Sequence, residues 1–97
     1  MASASSRVKA TYEYPYQMHG SMGSSCAVAD VRKDGVTIWS GTQTPYGMRE
    51  AAAKFMGLPN EKVRLIHVHA SGCYGQNGAD DVAIDALVLS RAVGKPV

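Results

Sequence analysis

The chain has 97 residues, 45% hydrophobic and 19% charged, with a formal net charge of +2. That bounds it to one small domain with a modest core. The Lys and Arg residues are scattered and form no basic stripe with interleaved aromatics, which excludes a nucleic-acid surface, and no apolar run approaches the ~20 residues of a membrane span.

Residues 1–6 are small and polar, lack the apolar stretch of a secretory signal, and read as a flexible leader to a single domain over residues 7–97. Residues 8–16 alternate. Val8, Ala10, Tyr12, Tyr14 and Tyr16 fall on one side and Lys9, Thr11 and Glu13 on the other, the period of a half-buried strand, with Pro15 at its end or on a sheet edge. Residues 17–25 are rich in Gly, Ser and Met and read as a loop, in which His19 is the side chain to watch. Two apolar strands follow, residues 26–31 and 36–40, joined by Arg32-Lys33-Asp34-Gly35, whose Asp-Gly pair signals a hairpin turn.

Ser40-Gly41-Thr42-Gln43-Thr44-Pro45 then leads from strand to helix. Thr44 is the expected N-cap and Pro45 the first helical residue. Gln43, set among small residues at the mouth of a strand, offers an uncharged amide with one acceptor and two donors. Residues 45–56 are helical by pattern, with Met48, Ala52, Phe55 and Met56 on the inward face, and Gly57 with Leu58-Pro59 stops the helix. Residues 63–70 form another strand, where His67 and His69 share a face at a spacing open to metal but with no third ligand fixed. Cys26 and Cys73 lack metal-ligand spacing and read as free thiols unless the fold brings them together.

Glycines recur at 72, 75 and 78 ahead of a second helix over residues 80–93. Such a turn lets backbone amides approach an oxygen or phosphate, a weak signal by itself. The second helix is apolar nearly all round and calls for cover on several sides. Gly94-Lys95-Pro96-Val97 caps it and starts what looks like another strand.

In order along the chain, Trp39-Ser40-Gly41-Thr42-Gln43-Thr44-Pro45, Leu58-Pro59 with Lys62-Val63-Arg64, Gly72-Cys73-Tyr74-Gly75 and Gly94-Lys95-Pro96-Val97 resemble one family. It is the molybdopterin-binding large subunit of the xanthine dehydrogenase/aldehyde oxidase family. Tyr16-Gln17-Met18-His19 and Cys26-Ala27-Val28-Ala29 are similar to its isoquinoline 1-oxidoreductase-like subgroup, and the resemblance covers nearly the whole chain after Ser6.

The resemblance implies that Gln43 is the glutamine whose amide approaches the oxo ligand of molybdenum. It implies that Gly72, Cys73, Tyr74 and Gly75 form the glycine-aromatic loop beside the metal end of the pterin cofactor. Family members hydroxylate a carbon next to a ring nitrogen or oxidise an aldehyde. Two departures stand out: Ser71 replaces a further glycine, and Gly78 stands where purine-oxidising members carry an acidic residue. The family's general-base glutamate lies far downstream and is absent here.

The expectation is therefore an α+β domain with a mixed β-sheet and two helices packed on it, in the order β-β-β-α-β-α. Its function is one wall of a molybdopterin site, inactive alone, with molybdopterin bound only in the full-length enzyme. The implied partners are the remainder of the large subunit and an iron–sulfur subunit, with self-association of the isolated chain through the second helix and the open ends of the sheet. The resemblance implies the cytoplasm or periplasm of a bacterium. The competing reading is a self-standing, non-catalytic α+β module that associates or binds small anions.

Overall fold

The computed structural model describes residues 3–75 and 81–97. Its strands are β1 (Ala27–Val31), β2 (Val36–Ser40) and β3 (Val63–His67), and its helices are α1 (Pro45–Met56) and α2 (Asp81–Val93). A short 3-10 turn over Asn60–Lys62 precedes β3. The sheet order is β1-β2-β3, antiparallel between β1 and β2 and parallel between β2 and β3. The α+β class, the mixed sheet and the two helices are as the sequence implies.

The hairpin forms where Asp34-Gly35 directs it, and Arg32 N–H donates to the Gly35 carbonyl at 2.9 Å. Parallel neighbours need a longer crossover, and α1 supplies it between β2 and β3. Pro45 occupies the first turn of α1 and Gly57 closes it, its N–H reaching the carbonyls of Ala53 and Lys54. Thr44 sits at the N-cap position, but its side chain makes no capping bond. Its own N–H is taken by Thr42 Oγ1 at 3.0 Å, so the buried threonine two residues earlier orders this turn.

Alternation along the strands sends Ala29, Val36, Ile38 and Val63 to one face, where they meet Met48, Ala52 and Ala53 of α1 and Ala83, Ala86 and Leu87 of α2. Both helices therefore cover the same side, α1 over β3 and α2 over β1. The other face is left without a helix. Val28, Trp39 and Ile66 line up across it in register, and Val28 is exposed. Phe55 is also exposed rather than inward, because Ala52 and Ala53 already fill the seam and a larger ring has no place there.

The expected strand over residues 8–16 is not formed. The segment has no regular secondary structure and is exposed throughout, with no strand beside it among the described residues. Its alternating pattern is a sound strand signal, but a strand exists only when a neighbour takes its backbone groups. The far end of the chain behaves oppositely. Val97 exchanges both backbone hydrogen bonds with Ala29 (2.8 and 3.0 Å), so a fourth strand position begins on the outer edge of β1. Buried Ser90 of α2 covers the next position, accepting from Val31 N–H at 3.0 Å and donating to the Lys95 carbonyl at 2.8 Å.

Candidate functional site

Because β2 and β3 are parallel and β1 runs against them, three loops meet at one end of the sheet. Residues 41–44 leave the carboxyl end of β2, residues 68–75 leave that of β3, and residues 19–26 enter β1. The carboxyl ends of parallel strands are where open α/β sheets hold ligands. The β2–β3 pairing runs one step beyond the strands, with Val68 N–H donating to the Ser40 carbonyl at 3.1 Å. One residue on, Gly41 packs directly on Ala70: a Cβ built at Gly41 would stand 2.4 Å from the Ala70 Cβ and 3.3 Å from its Cα. Only a residue without a side chain lets these two loops touch.

The third loop is tied to the same place. Met22 N–H donates to the Ser71 carbonyl at 3.1 Å, and Ser71 Oγ donates to the Gly23 carbonyl at 2.9 Å. His19 Nε2 lies 3.2 Å from the Tyr74 carbonyl oxygen and donates to it in the tautomer with that nitrogen protonated, while its ring meets the Tyr74 ring edge-on at 5.0 Å between centroids. Ser71, where the family carries another glycine, thus has a local task as the hydroxyl that clips two loops together.

Each sequence-predicted site residue can now be placed. Gln43 is exposed on the loop that leaves β2, two residues beyond the Gly41–Ala70 contact. Gly72 and Cys73 are half-buried, and Tyr74 and Gly75 are exposed, on the loop that leaves β3. Gly72 and Gly75 take φ of 104° and 112°, backbone that side chains rarely adopt, and nothing lies within 4 Å of a Cβ at Gly75. The structure thus brings the two loops to one end of the domain. Residue 78, the third recurring glycine, lies outside the described residues.

A small cleft of about 120 Å3 sits at this junction, lined by Ser24, Ser25, Cys26, Ser40, Gly41, His69, Ala70, Ser71 and Val82. Ser40, at the end of β2, is fully buried beside it. Sequence reasoning placed Ser40 and Gly41 in the loop that carries Gln43 and noted Ser71 as a departure from the family's glycine, but gave none of the three a contact. Their signal is that small residues cluster where two strand ends must approach. Cys26 and Cys73 are both free, as read from their spacing. His67 and His69 do not act together. β3 ends at His67, which borders a separate cleft of about 460 Å3 beside α1, whereas His69 faces the junction. Among the described residues no group of three His, Cys, Asp or Glu is placed to hold a metal ion.

The junction holds hydroxyls, the Cys26 thiol, the His19 and His69 rings and glycine-turned backbone, with the Gln43 amide nearby and no Lys, Arg, Asp or Glu lining the cleft. The Arg32 guanidinium, whose pKa is raised chiefly by its hydrogen bond to Asp30 (2.6 Å) and by the Asp30 charge, sits at the hairpin turn, the opposite end of the sheet. Such a set suits an uncharged or delocalised ligand that needs orientation more than neutralisation.

The molybdopterin cofactor-binding domain family matches residues 1–97. A nicotinate dehydrogenase subunit of Pseudomonas putida is 45% identical over 97 residues, all of this chain and 8% of its own length. A probable xanthine dehydrogenase subunit of Bacillus subtilis is 37% identical over 90 residues, 90% of this chain and 12% of that protein. Among solved structures, quinoline 2-oxidoreductase from Pseudomonas putida 86 superposes with a TM-score of 0.67 at 28% identity, covering 81% of this chain and 10% of that one. The reconstituted CO dehydrogenase of Oligotropha carboxidovorans gives 0.63 at 30% identity, over 75% and 10%. The chain thus spans about a tenth of the proteins it matches. Among the described residues no helix is long and apolar enough to cross a membrane.

Proposed function

The chain belongs to the molybdopterin cofactor-binding domain family, and we propose that it builds one wall of the cofactor site in a molybdenum hydroxylase large subunit. The observation that carries this reading is the Gly41–Ala70 contact, which sets the loops of Gln43 and residues 72–75 side by side at one sheet end. Oxidation of the substrate is chemistry that a bound molybdenum cofactor supplies. The task of this chain is orientation. The Gln43 amide, which carries no titratable proton, would help hold and orient the cofactor as an uncharged hydrogen-bond donor and acceptor and would not move protons. The backbone of residues 72–75 would line the pterin; Gly72 and Gly75 turn its peptide planes and His19 steadies the Tyr74 carbonyl. The substrate class is an N-heterocycle or an aldehyde, the former in keeping with the nicotinate relative.

The test is a chimaera in which these residues replace the matching segment of the Pseudomonas putida nicotinate dehydrogenase subunit. It is expected to retain molybdenum and turn over nicotinate. Gln43→Ala should lower turnover by about 10–100-fold, the usual effect of losing a group that orients a metal's ligands, with metal content unchanged. A chimaera devoid of molybdenum would remove the wall reading, and full turnover in Gln43→Ala would remove Gln43 from it.

The remaining partners are an iron–sulfur subunit and, for the isolated chain, a second copy. Val88, Leu89 and Val93 of α2 and Phe55 of α1 are exposed apolar side chains that an assembled subunit would cover. Light scattering of the isolated chain is expected to give a dimer or larger, and Leu89→Asp to shift it towards monomer. A monodisperse wild-type monomer would show that this face is content in water.

A further inference from the structure

We propose that residues 8–16 are a donated strand, which in the assembled large subunit adds to an open sheet edge formed by polypeptide outside these residues. The inference rests on the reading of the chain as a segment of that subunit.

Val8, Tyr12, Tyr14 and Tyr16 are 94%, 80%, 91% and 108% exposed. Together with Ala10 they form one side of a regular alternation, and Lys9, Thr11 and Glu13 form the other. A solvated linker has no use for such a stripe, whereas a strand lying on an apolar surface requires it. Tyrosines bury roughly 150–250 Å2 each when covered, so three on one side are a large unspent association surface. The segment is held away from the body. The molecule measures 68 Å along its longest axis against 28 and 16 Å across, and among the described residues no backbone hydrogen bond reaches residues 8–17.

This domain's own sheet offers a second copy of the segment no clear edge. The outer side of β1 is taken by Val97 at Ala29 and by Ser90 at Val31. On β3 the Arg49 side chain lies across the start of the edge, its Nε 3.0 Å from the Val63 carbonyl and its Nη2 2.7 Å from that of Asn60. Among the described residues these contacts leave uncovered only the end of the β3 edge, residues 65–67, too short for a strand over residues 8–16, so the acceptor edge is assigned elsewhere. The P. putida relative aligns across all of this chain, this segment included, and most of its length lies outside the match. The polypeptide that can hold the strand is in such a remainder.

Amide hydrogen exchange on the isolated chain and on the cofactor-loaded chimaera decides the matter. Residues 9–16 are expected to exchange freely in the isolated chain and at least 100-fold more slowly in the chimaera. In the chimaera, Tyr12→Ser with Tyr14→Ser should restore fast exchange there while β2 stays protected. Fast exchange of residues 9–16 in a chimaera that carries molybdenum would overturn the donated strand and leave the cofactor-wall reading intact. A chimaera without molybdenum would overturn both. Protection that appears in the isolated chain as its concentration rises would assign the strand to a second copy and overturn the proposal.

Discussion

Gly41→Ala is expected to push the loops of the junction apart and to cost about 1–3 kcal/mol, the range for overpacking a well-fitted contact. The new methyl would lie 2.4 Å from the Ala70 Cβ, 3.3 Å from its Cα and 3.5 Å from the Val68 carbonyl oxygen. Gly41 follows directly on buried Ser40, so the β2 side has little freedom to retreat. Residues 68–71 lie beyond the end of β3, and Ala70 is exposed, so this side yields. As it moves, it carries with it the two hydrogen bonds that Ser71 makes to Met22 and Gly23. The larger consequence is therefore geometric: residues 72–75 lose their fixed distance from Gln43. In the chimaera turnover should fall at least as far as in Gln43→Ala, because every contact from residues 72–75 shifts together. Ala70→Gly in the Gly41→Ala background removes the methyl–methyl clash and should recover most of the stability and part of the turnover. Urea unfolding and steady-state rates on the single and double variants check this. Wild-type stability and turnover in Gly41→Ala would mean that the two loops do not need to touch.

Local chemistry made most of the fold legible. Asp34-Gly35, Pro45 and Gly57 each have one favoured use, and each appears in it. What the sequence hid depends on partners distant along the chain. Ser90 looks like a polar interruption in an apolar helix, and only the adjacent edge of β1 explains it. Thr44 has a capping residue's chemistry, but its side chain makes no capping bond, and buried Thr42 orders the turn instead by accepting from the Thr44 N–H. Phe55 fits the helical stripe by spacing and loses its place to two alanines. At the candidate site Gln43 and the glycine-rich turn were readable as ligand-facing chemistry. Their approach was not, since it turns on a glycine meeting an alanine across two strand ends. Residues 8–16 are the instructive failure: the pattern states what the segment wants, and among the described residues no strand beside it satisfies it.

Ile38→Ala is expected to cost about 2–5 kcal/mol, the range for emptying a buried branched side chain. Ile38 is at the centre of the middle strand, opposite Ala29 on one side and Leu65 on the other, and is fully buried beneath the helices. Its neighbours in the core are mostly alanines and valines held on strands and helices, which are too short to collapse into the space left behind. A chain of this size has about 5–15 kcal/mol of stability in all, so the substitution removes a large share and should lower the urea midpoint accordingly. Ile66→Ala is the control. Ile66 is next to Trp39 on the face without helices and only half-buried, so the same loss of atoms should cost well under half as much in the isolated chain. Within the chimaera the ranking becomes informative. If the remainder of the large subunit covers the row of Val28, Trp39 and Ile66, Ile66→Ala should become nearly as costly as Ile38→Ala. Equal costs already in the isolated chain would mean that the helices do not define the core side of this sheet.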